Sequence, residues 1–96
     1  MFVYSGDSGP YDSLIELARE ANLFVCESGA ITTSPGQVAY HCTPEDAGRI
    51  ASASGTGSLL VTHLAPGLAS AEALERAAST YAGTVSLAQT GSRLPV

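Results

Sequence analysis

Short apolar runs alternate with longer segments of helical periodicity along the whole sequence, and this alternation constrains the fold more than any other feature. The runs lie at 2–4, 23–26, 59–62 and 84–88. Between them, apolar residues recur three and four positions apart, which places them on one face of a helix. Because strands that alternate with helices at this spacing form a largely parallel sheet, the sequence predicts an α/β fold in the order β-α-β-α-β-α-β.

Boundary signals are clearest around the middle helix. Thr43 is a typical capping residue, Pro44 suits the first helical position, and Gly55 is a typical helix end. Ser13 followed by Glu16 fits a capping box at the start of the first helix, and Pro10 offers an earlier start as an alternative. The predicted buried stripes of the first and third helices consist of Leu14, Leu17, Ala18 and Ala21, and of Leu74, Ala77, Ala78 and Tyr81.

The length and composition of the chain predict one small domain over residues 1–96. Hydrophobic residues make up 45% of the chain and charged residues 14%, which excludes an intrinsically disordered protein. So high an apolar fraction in a short chain leaves two interpretations open: an alanine-rich composition, or a surface that binds a partner chain.

Charge and targeting signals narrow the functional classes. The net charge is −5 and the chain has no lysine, so a basic surface for nucleic acid is missing and nucleic acid is not expected as a partner. No apolar run reaches the length of a membrane span, and the first residues lack the pattern of a signal peptide. We therefore expect a cytoplasmic protein without a membrane partner, in which Cys26 and Cys42 are free thiols.

Chemically competent side chains follow the predicted strands. Asp7, Glu27 and His63 come after the first, second and third strands, and His41 lies just before the cap of the second helix. In β-α units, ligands and catalytic groups gather beyond the carboxyl ends of the strands. Each residue alone is more often a surface or capping residue, but their coincidence indicates a site. It could be a metallohydrolase site, with Asp7 and His63 as metal ligands and Glu27 with His41 as an acid–base pair.

Two other chemistries stay open at this point. The stretch GDSG at 6–9 resembles the surroundings of a serine nucleophile in proteases and esterases, but the Asp-x-x-His partner of the esterases is missing. A structural zinc site would need cysteines and histidines in a finger or ribbon pattern, which does not match the spacing of Cys26, His41, Cys42 and His63.

Four stretches in series resemble the metallo-β-lactamase superfamily, in its branch of tRNase Z-like and phosphodiesterase-like metallohydrolases. They are VYSGDSGP at 3–10, LFVCES at 23–28, HCT at 41–43 followed by Ala47 and Gly48, and LVTHL at 60–64. They agree with the family blocks in order and spacing. The resemblance implies the C-terminal half of a four-layer αββα sandwich.

The resemblance also implies roles for Asp7, Glu27, His41 and His63, which are called the rim residues below. Asp7 would bridge two metal ions and His63 would bind the second ion, with zinc expected and manganese or iron as alternatives. His41 would donate a proton to the leaving oxygen and Glu27 would orient His41. The implied reaction is hydrolysis of a phosphodiester or another ester by a metal-bound hydroxide.

The family's first metal motif, H-x-H-x-D-H, and its next single histidine ligand are absent from this sequence. We therefore expect the dinuclear site to be completed by a separate N-terminal half that carries H-x-H-x-D-H, by a second copy of this chain, or by an N-terminal half that is missing from this sequence, and the chain alone to be inactive. One alternative is a non-catalytic half-fold that dimerises, in which Asp7 and His63 are idle. Another is a small flavodoxin-like or receiver-like module, although a receiver would need a lysine that the chain lacks.

Overall fold

Seven regular elements make up the computed structural model, which describes residues 2–4, 12–32 and 41–87. They are β1 (Phe2–Tyr4), α1 (Asp12–Leu17), β2 (Leu23–Ser28), α2 (Pro44–Ser54), β3 (Ser58–Leu64), α3 (Ser70–Ala78) and β4 (Thr84–Leu87). The predicted α/β class and the predicted alternation are both confirmed. None of the helices in these three ranges is long and apolar enough to cross a membrane.

The strands of the described residues form one sheet in the order β1-β2-β3-β4, and every neighbouring pair is parallel. Parallel strands in sequential order need a crossover helix at each step, and right-handed crossovers place all these helices on the same face. The main buried cluster agrees with this arrangement, because it combines residues of the three helical segments with residues on one face of the sheet. The helical segments contribute Leu14, Ala18, Ala47, Ile50, Ala51 and Ala77, and the sheet contributes Phe24, Cys26, Leu59 and Val61.

The opposite face of the sheet carries a second, smaller cluster. Leu23, Val25 and Leu60 form it, because side chains alternate between the two faces along a strand. Tyr4 pairs with Val25 in the register of β1 and β2, lies on the same face, and is 49% exposed. The sheet is therefore apolar on both faces, as in a fold where one face packs on helices and the other on a further layer.

The predicted boundaries of α2 are confirmed in detail. The Thr43 side chain accepts a hydrogen bond from the Asp46 amide at 3.1 Å, and the Asp46 carboxylate accepts one from the Thr43 amide at 3.0 Å. This reciprocal capping box holds the first turn behind Pro44. At the other end, Gly55 takes a left-handed conformation with φ of 72°, which a glycine adopts without strain.

Predictions for the first helix were partly wrong. Ser13 lies inside α1 and does not cap it, because the helix already begins at Asp12. Leu17 is 56% exposed, whereas Ala18 and Ala21 are buried as predicted. The helix ends at Leu17, so the following turn carries the two alanines into the core and leaves Leu17 facing solvent.

Predictions for the third helix need a similar correction. Ala78 is exposed, and the buried stripe consists of Ala73 and Ala77, four positions apart. Tyr81 is buried as predicted, but it follows the helix, and its hydroxyl donates to the Thr56 carbonyl at 2.7 Å. Burial raises the pKa of this hydroxyl, so Tyr81 acts as a neutral hydrogen-bond donor that fixes the entrance to β4.

Close contact between α2 and α3 sets the position of the α2 N-terminus. A Cβ on Gly48 would collide with Oγ1 of Thr80 and with the Ala77 carbonyl oxygen. The Thr80 hydroxyl, in turn, donates to the Glu45 carbonyl at 2.8 Å. Gly48 is therefore required by close helix packing, which anchors the first turn of α2 and the residues immediately before it.

Candidate functional site

Three of the four predicted rim residues lie in the described part of the chain, and they meet at the carboxyl edge of the sheet. Glu27 belongs to the end of β2, His63 to the end of β3, and His41 lies two residues before the α2 cap. The sequence predicted that Glu27 and His63 follow their strands, which is wrong by one or two residues because both strands are longer than predicted. Asp7 falls outside the described residues.

A β-bulge presents His63. Glu27 pairs with Thr62 and Ser28 pairs with Leu64, so His63 is an extra residue on β3. Its φ is +52°, a left-handed conformation that a non-glycine residue adopts at a cost of about 1–3 kcal/mol. Bulges of this kind occur next to active sites, where they redirect a side chain. Here the bulge brings the His63 ring nearly parallel to the His41 ring, with 6.1 Å between centroids and 14° between planes.

The Glu27 carboxylate is held by two backbone amides. One oxygen accepts a hydrogen bond from the Gly29 amide at 2.6 Å, and the other accepts one from the Cys42 amide at 2.7 Å. Glu27 is completely buried, and a buried carboxylate is stable only when such donors replace the lost water. The two bonds tie the end of β2 to the residues that lead into α2.

His41 lies against this fixed carboxylate. Its Nδ1 is 3.4 Å from Oε2 of Glu27, is buried, and makes no hydrogen bond within the described residues. The His41 side chain as a whole is 39% exposed. Catalytic hydrogen bonds are often long before a substrate is bound and shorten in the complex. The arrangement suits an imidazole that is oriented from one side and open on the other.

The described part of the chain does not by itself form a metal site. Among residues 2–4, 12–32 and 41–87, no three His, Cys, Asp or Glu side chains converge as they would around a metal ion. The structural zinc site of Cys26, His41, Cys42 and His63 is therefore not supported, since all four lie within these ranges. The donor chemistry fits part of a larger site: His63 is an exposed imidazole at the bulge, and imidazole is a common metal ligand.

Both cysteines are buried and unbridged. A hydrogen bond with Cys26, followed by burial, raises the pKa of the Cys42 thiol far above its ordinary value. Because the thiolate is the form that attacks or binds metal, Cys42 serves here as an apolar core residue. Its functional contribution is its backbone amide.

Gly29 and the Cys42 amide are site components that the sequence did not reveal. A backbone amide carries no residue-type signal, so neither donor to Glu27 could be recognised from composition or spacing. The only available hint was the glycine two positions after Glu27. It reads equally well as an ordinary turn residue.

Arg76 connects the first turn of α2 with the residues that follow β2. Its guanidinium binds both carboxylate oxygens of Glu45, each at 2.8 Å, and also donates to the Ile31 carbonyl. Such a bidentate pair fixes both distance and orientation. It joins α3 to the first turn of α2 and to the segment after β2, beside an open cleft of about 370 Å³.

The Arg76 pair predicts an acid-dependent loss of stability. The hydrogen bonds from Arg76 lower the pKa of Glu45. The stability that the ion pair adds to the folded state is therefore fully present above the ordinary carboxyl pKa of 4.5, and it is lost as the pH falls through the lower pKa of the folded state. We expect Glu45→Gln to reduce the free energy of unfolding at neutral pH and to make little difference in strong acid. Urea unfolding across this pH range measures it.

The matched control for this prediction is Glu16→Gln, which removes the exposed pair between Glu16 and Arg19. A solvent-exposed pair contributes little, so this variant should follow the wild-type pH profile. An equal loss of stability for Glu45→Gln at neutral pH and in strong acid would contradict the assignment to ionic pairing.

Comparison with known proteins identifies relatives of this chain. No family model matches the chain. The probable metallo-hydrolase YhfI of Bacillus subtilis is 37% identical over 90 residues, which cover 93% of this chain and 36% of that protein. The uncharacterized protein ML1173 of Mycobacterium leprae is 32% identical over 94 residues, 98% of this chain and 33% of that protein. Ribonuclease Z of Pyrococcus horikoshii is 34% identical over 77 residues, 80% of this chain and 25% of that enzyme.

A solved structure gives the same result at the level of the fold. The crystal structure of the metallo-β-lactamase fold protein YhfI from Bacillus subtilis superposes with a TM-score of 0.83 and 33% sequence identity, and the match covers 93% of this chain and 37% of that one. The chain therefore belongs to the metallo-β-lactamase superfamily. It is related to metal-dependent hydrolases and spans about a third of the length of the curated relatives that it matches.

Proposed function

We propose that this chain supplies one part of the active site of a metal-dependent hydrolase that cleaves a phosphodiester or another ester. The observation that carries the proposal is the convergence of His63, His41 and Glu27 at one edge of a parallel sheet, where a strained bulge turns one imidazole towards the other. Strain of this kind persists at functional sites. The relatives named as a metallo-hydrolase and as ribonuclease Z support the same reaction class.

Asp7 and His63 are the residues that would hold metal. His63 is exposed at the carboxyl end of β3, and in the sequence Asp7 follows β1, whose carboxyl end shares that edge of the parallel sheet. Zinc suits this pair of ligands, with manganese or iron as alternatives, and two ions in the complete site. A divalent ion supplies a polarised, more acidic water and stabilises the charge that develops on the substrate.

His41 and Glu27 would handle the leaving group. The buried carboxylate of Glu27 is fixed by two amides, so it offers a rigid acceptor to Nδ1 of His41. That contact leaves Nε2 of the imidazole to donate its proton to the leaving oxygen as the ester bond breaks. Partial exposure of the ring gives the substrate access to it.

Two metal ligands fall short of a catalytic site. Catalytic zinc usually has three protein ligands and an open position, and this chain contributes only Asp7 and His63. We infer that the remaining ligands come from outside these 96 residues, either from an N-terminal half that carries H-x-H-x-D-H, whether on the same or on a separate chain, or from a second copy of this chain. On the sheet face opposite the helices, Leu23, Val25 and Leu60 are buried within this chain, whereas Tyr4 is 49% exposed there and offers an apolar contact to such a layer.

Zinc titration of the purified, chelator-treated chain tests the ligand assignment. We expect weak binding by the wild type, and at least ~10-fold weaker binding by Asp7→Ala and by His63→Ala, which corresponds to about 1.4 kcal/mol per tenfold. His41→Ala is the matched control and should retain wild-type affinity, because His41 faces Glu27. Unchanged affinity in Asp7→Ala and His63→Ala would reject the metal site.

Light scattering on the same samples separates the two sources of the missing ligands. A monomer that gains mass only with an added N-terminal half supports a separate partner, whereas a metal-dependent oligomer at fixed stoichiometry supports a second copy. A dimer that ignores zinc in all variants would favour the alternative function, a non-catalytic half-fold in which Asp7 and His63 are idle.

A further inference from the structure

Gly29 occupies the narrow space between the two members of the acid–base pair. A Cβ built on it would lie 3.0 Å from Oε2 of Glu27, 3.0 Å from Nδ1 of His41 and 3.1 Å from Cγ of His41. The Gly29 amide also donates to Oε2 of Glu27 at 2.6 Å. The backbone of this one residue therefore holds the carboxylate, and its missing side chain leaves room for the imidazole.

Backbone conformation does not account for this glycine. The described glycines with positive φ are Gly55 and Gly67, so Gly29 does not adopt the left-handed conformation in which a side chain is strained. Alanine is thus compatible with the backbone at this position. The constraint on the residue is the space that the Glu27–His41 pair requires.

We propose that Gly29 is a positioning residue for His41, and that it acts as a spacer whose substitution moves the imidazole away from Glu27. That this positioning matters for catalysis rests on the proposed function, but the effect of Gly29 on the distance between His41 and Glu27 does not depend on it. Gly29 and Cys42 both donate to the carboxylate, and of these two residues it is Gly29 that also sets how closely the His41 ring approaches it.

Which neighbour yields to a new methyl group follows from how each is held. The Glu27 carboxylate is fully buried and fixed by two short hydrogen bonds. His41 is partly exposed, and its Nδ1 makes no hydrogen bond within the described residues. The Cβ contacts are too close by only a few tenths of an ångström, so the chain should still fold, and His41 should be the group that moves.

Proton NMR on the metal-free chain tests this displacement. The chain has two histidines, so His63→Gln assigns their ring resonances. We expect wild-type protein to show ring-to-ring cross-peaks between His41 and His63, and Gly29→Ala to lose them or to shift the His41 resonances, with the Cys42 amide close to its wild-type position. Unchanged His41 resonances in Gly29→Ala would overturn the proposal.

Gly55→Ala is the matched control for general destabilisation. It places a side chain at a positive φ, and nothing lies within 4 Å of the added Cβ. We expect this variant to lose stability while both histidine spectra stay as in wild type. Changes of the His41 spectrum of equal size in Gly55→Ala would mean that the ring responds to any loss of stability, which would also overturn the proposal.

A double-variant cycle keeps the test decisive if Gly29→Ala folds poorly. Two of the three close contacts of the added Cβ are with His41 atoms, so Gly29→Ala should cost less stability in a His41→Ala background than in wild type. Equal costs in both backgrounds would contradict the spacer role. Turnover of the complete enzyme distinguishes the spacer role of Gly29 from the proton-donor role of His41. If Gly29→Ala moves the His41 ring but His41→Ala leaves turnover unchanged, the spacer role is supported and the proton-donor role is rejected.

Discussion

Glu27→Ala should lower the free energy of unfolding of this chain by about 3 kcal/mol or more. The substitution leaves a buried Cys42 amide and a partly buried Gly29 amide without their acceptor, and each unsatisfied buried donor costs about 1–3 kcal/mol. It also leaves a cavity where the side chain stood. Small domains are stable by only about 5–15 kcal/mol, so this loss is large, and denaturant unfolding followed by circular dichroism measures it.

Two further variants separate the causes of this loss. Glu27→Gln keeps the shape and one acceptor oxygen but turns an NH2 group towards one of the amides, so an intermediate loss is expected. Glu75→Ala, at an exposed position on α3, controls for the removal of a glutamate and should change stability little. If Glu27→Ala cost no more than Glu75→Ala, the buried carboxylate would have no structural role.

The order of elements could be predicted from the sequence because it depends on local signals. Thr43, Pro44 and Gly55 mark the ends of α2 by chemistry that acts within one helical turn. The edge that carries Glu27, His41 and His63 follows from one topological rule, that the carboxyl ends of parallel strands share an edge. These predictions needed no knowledge of how distant residues pack.

Failures of the sequence predictions have a common origin in tertiary contacts. Leu17 and Ala78 fit helical periodicity, but the early end of α1 and the packing of Ala73 and Ala77 decide which side faces the core. The bulge at His63 exists only in the pairing of β3 with β2, and the sequence of β3 alone carries no sign of it.

The hydrogen bonds that hold the first turn of α2 also connect it to the candidate site. The capping box and the Arg76 pair fix the first turn of α2, and the Cys42 amide, immediately before that turn, fixes Glu27. Glu27, in turn, faces His41. A change that loosens the start of α2 should therefore displace Glu27 and His41 before it affects the sheet.

In an enzyme completed as proposed, we expect His41→Ala to lower kcat by ~10²–10⁴-fold, the range over which general acids contribute. The bound-metal content should remain at the wild-type level, because His41 is oriented by Glu27 and is not assigned to the metal. His63→Ala should instead lose metal and activity together. Steady-state kinetics with an ester substrate, alongside elemental analysis of each variant, measures both quantities.

The pattern across variants distinguishes a proton donor from a ligand. A proton donor matters most for substrates with poor leaving groups, since a leaving oxygen that is already acidic departs without a proton. The kcat deficit of His41→Ala should therefore shrink for a nitrophenyl ester compared with an alkyl ester, while the deficit of His63→Ala should be similar for both. A His41→Ala deficit that is independent of the leaving group and accompanied by metal loss would make His41 a ligand, and normal turnover would remove it from the site altogether.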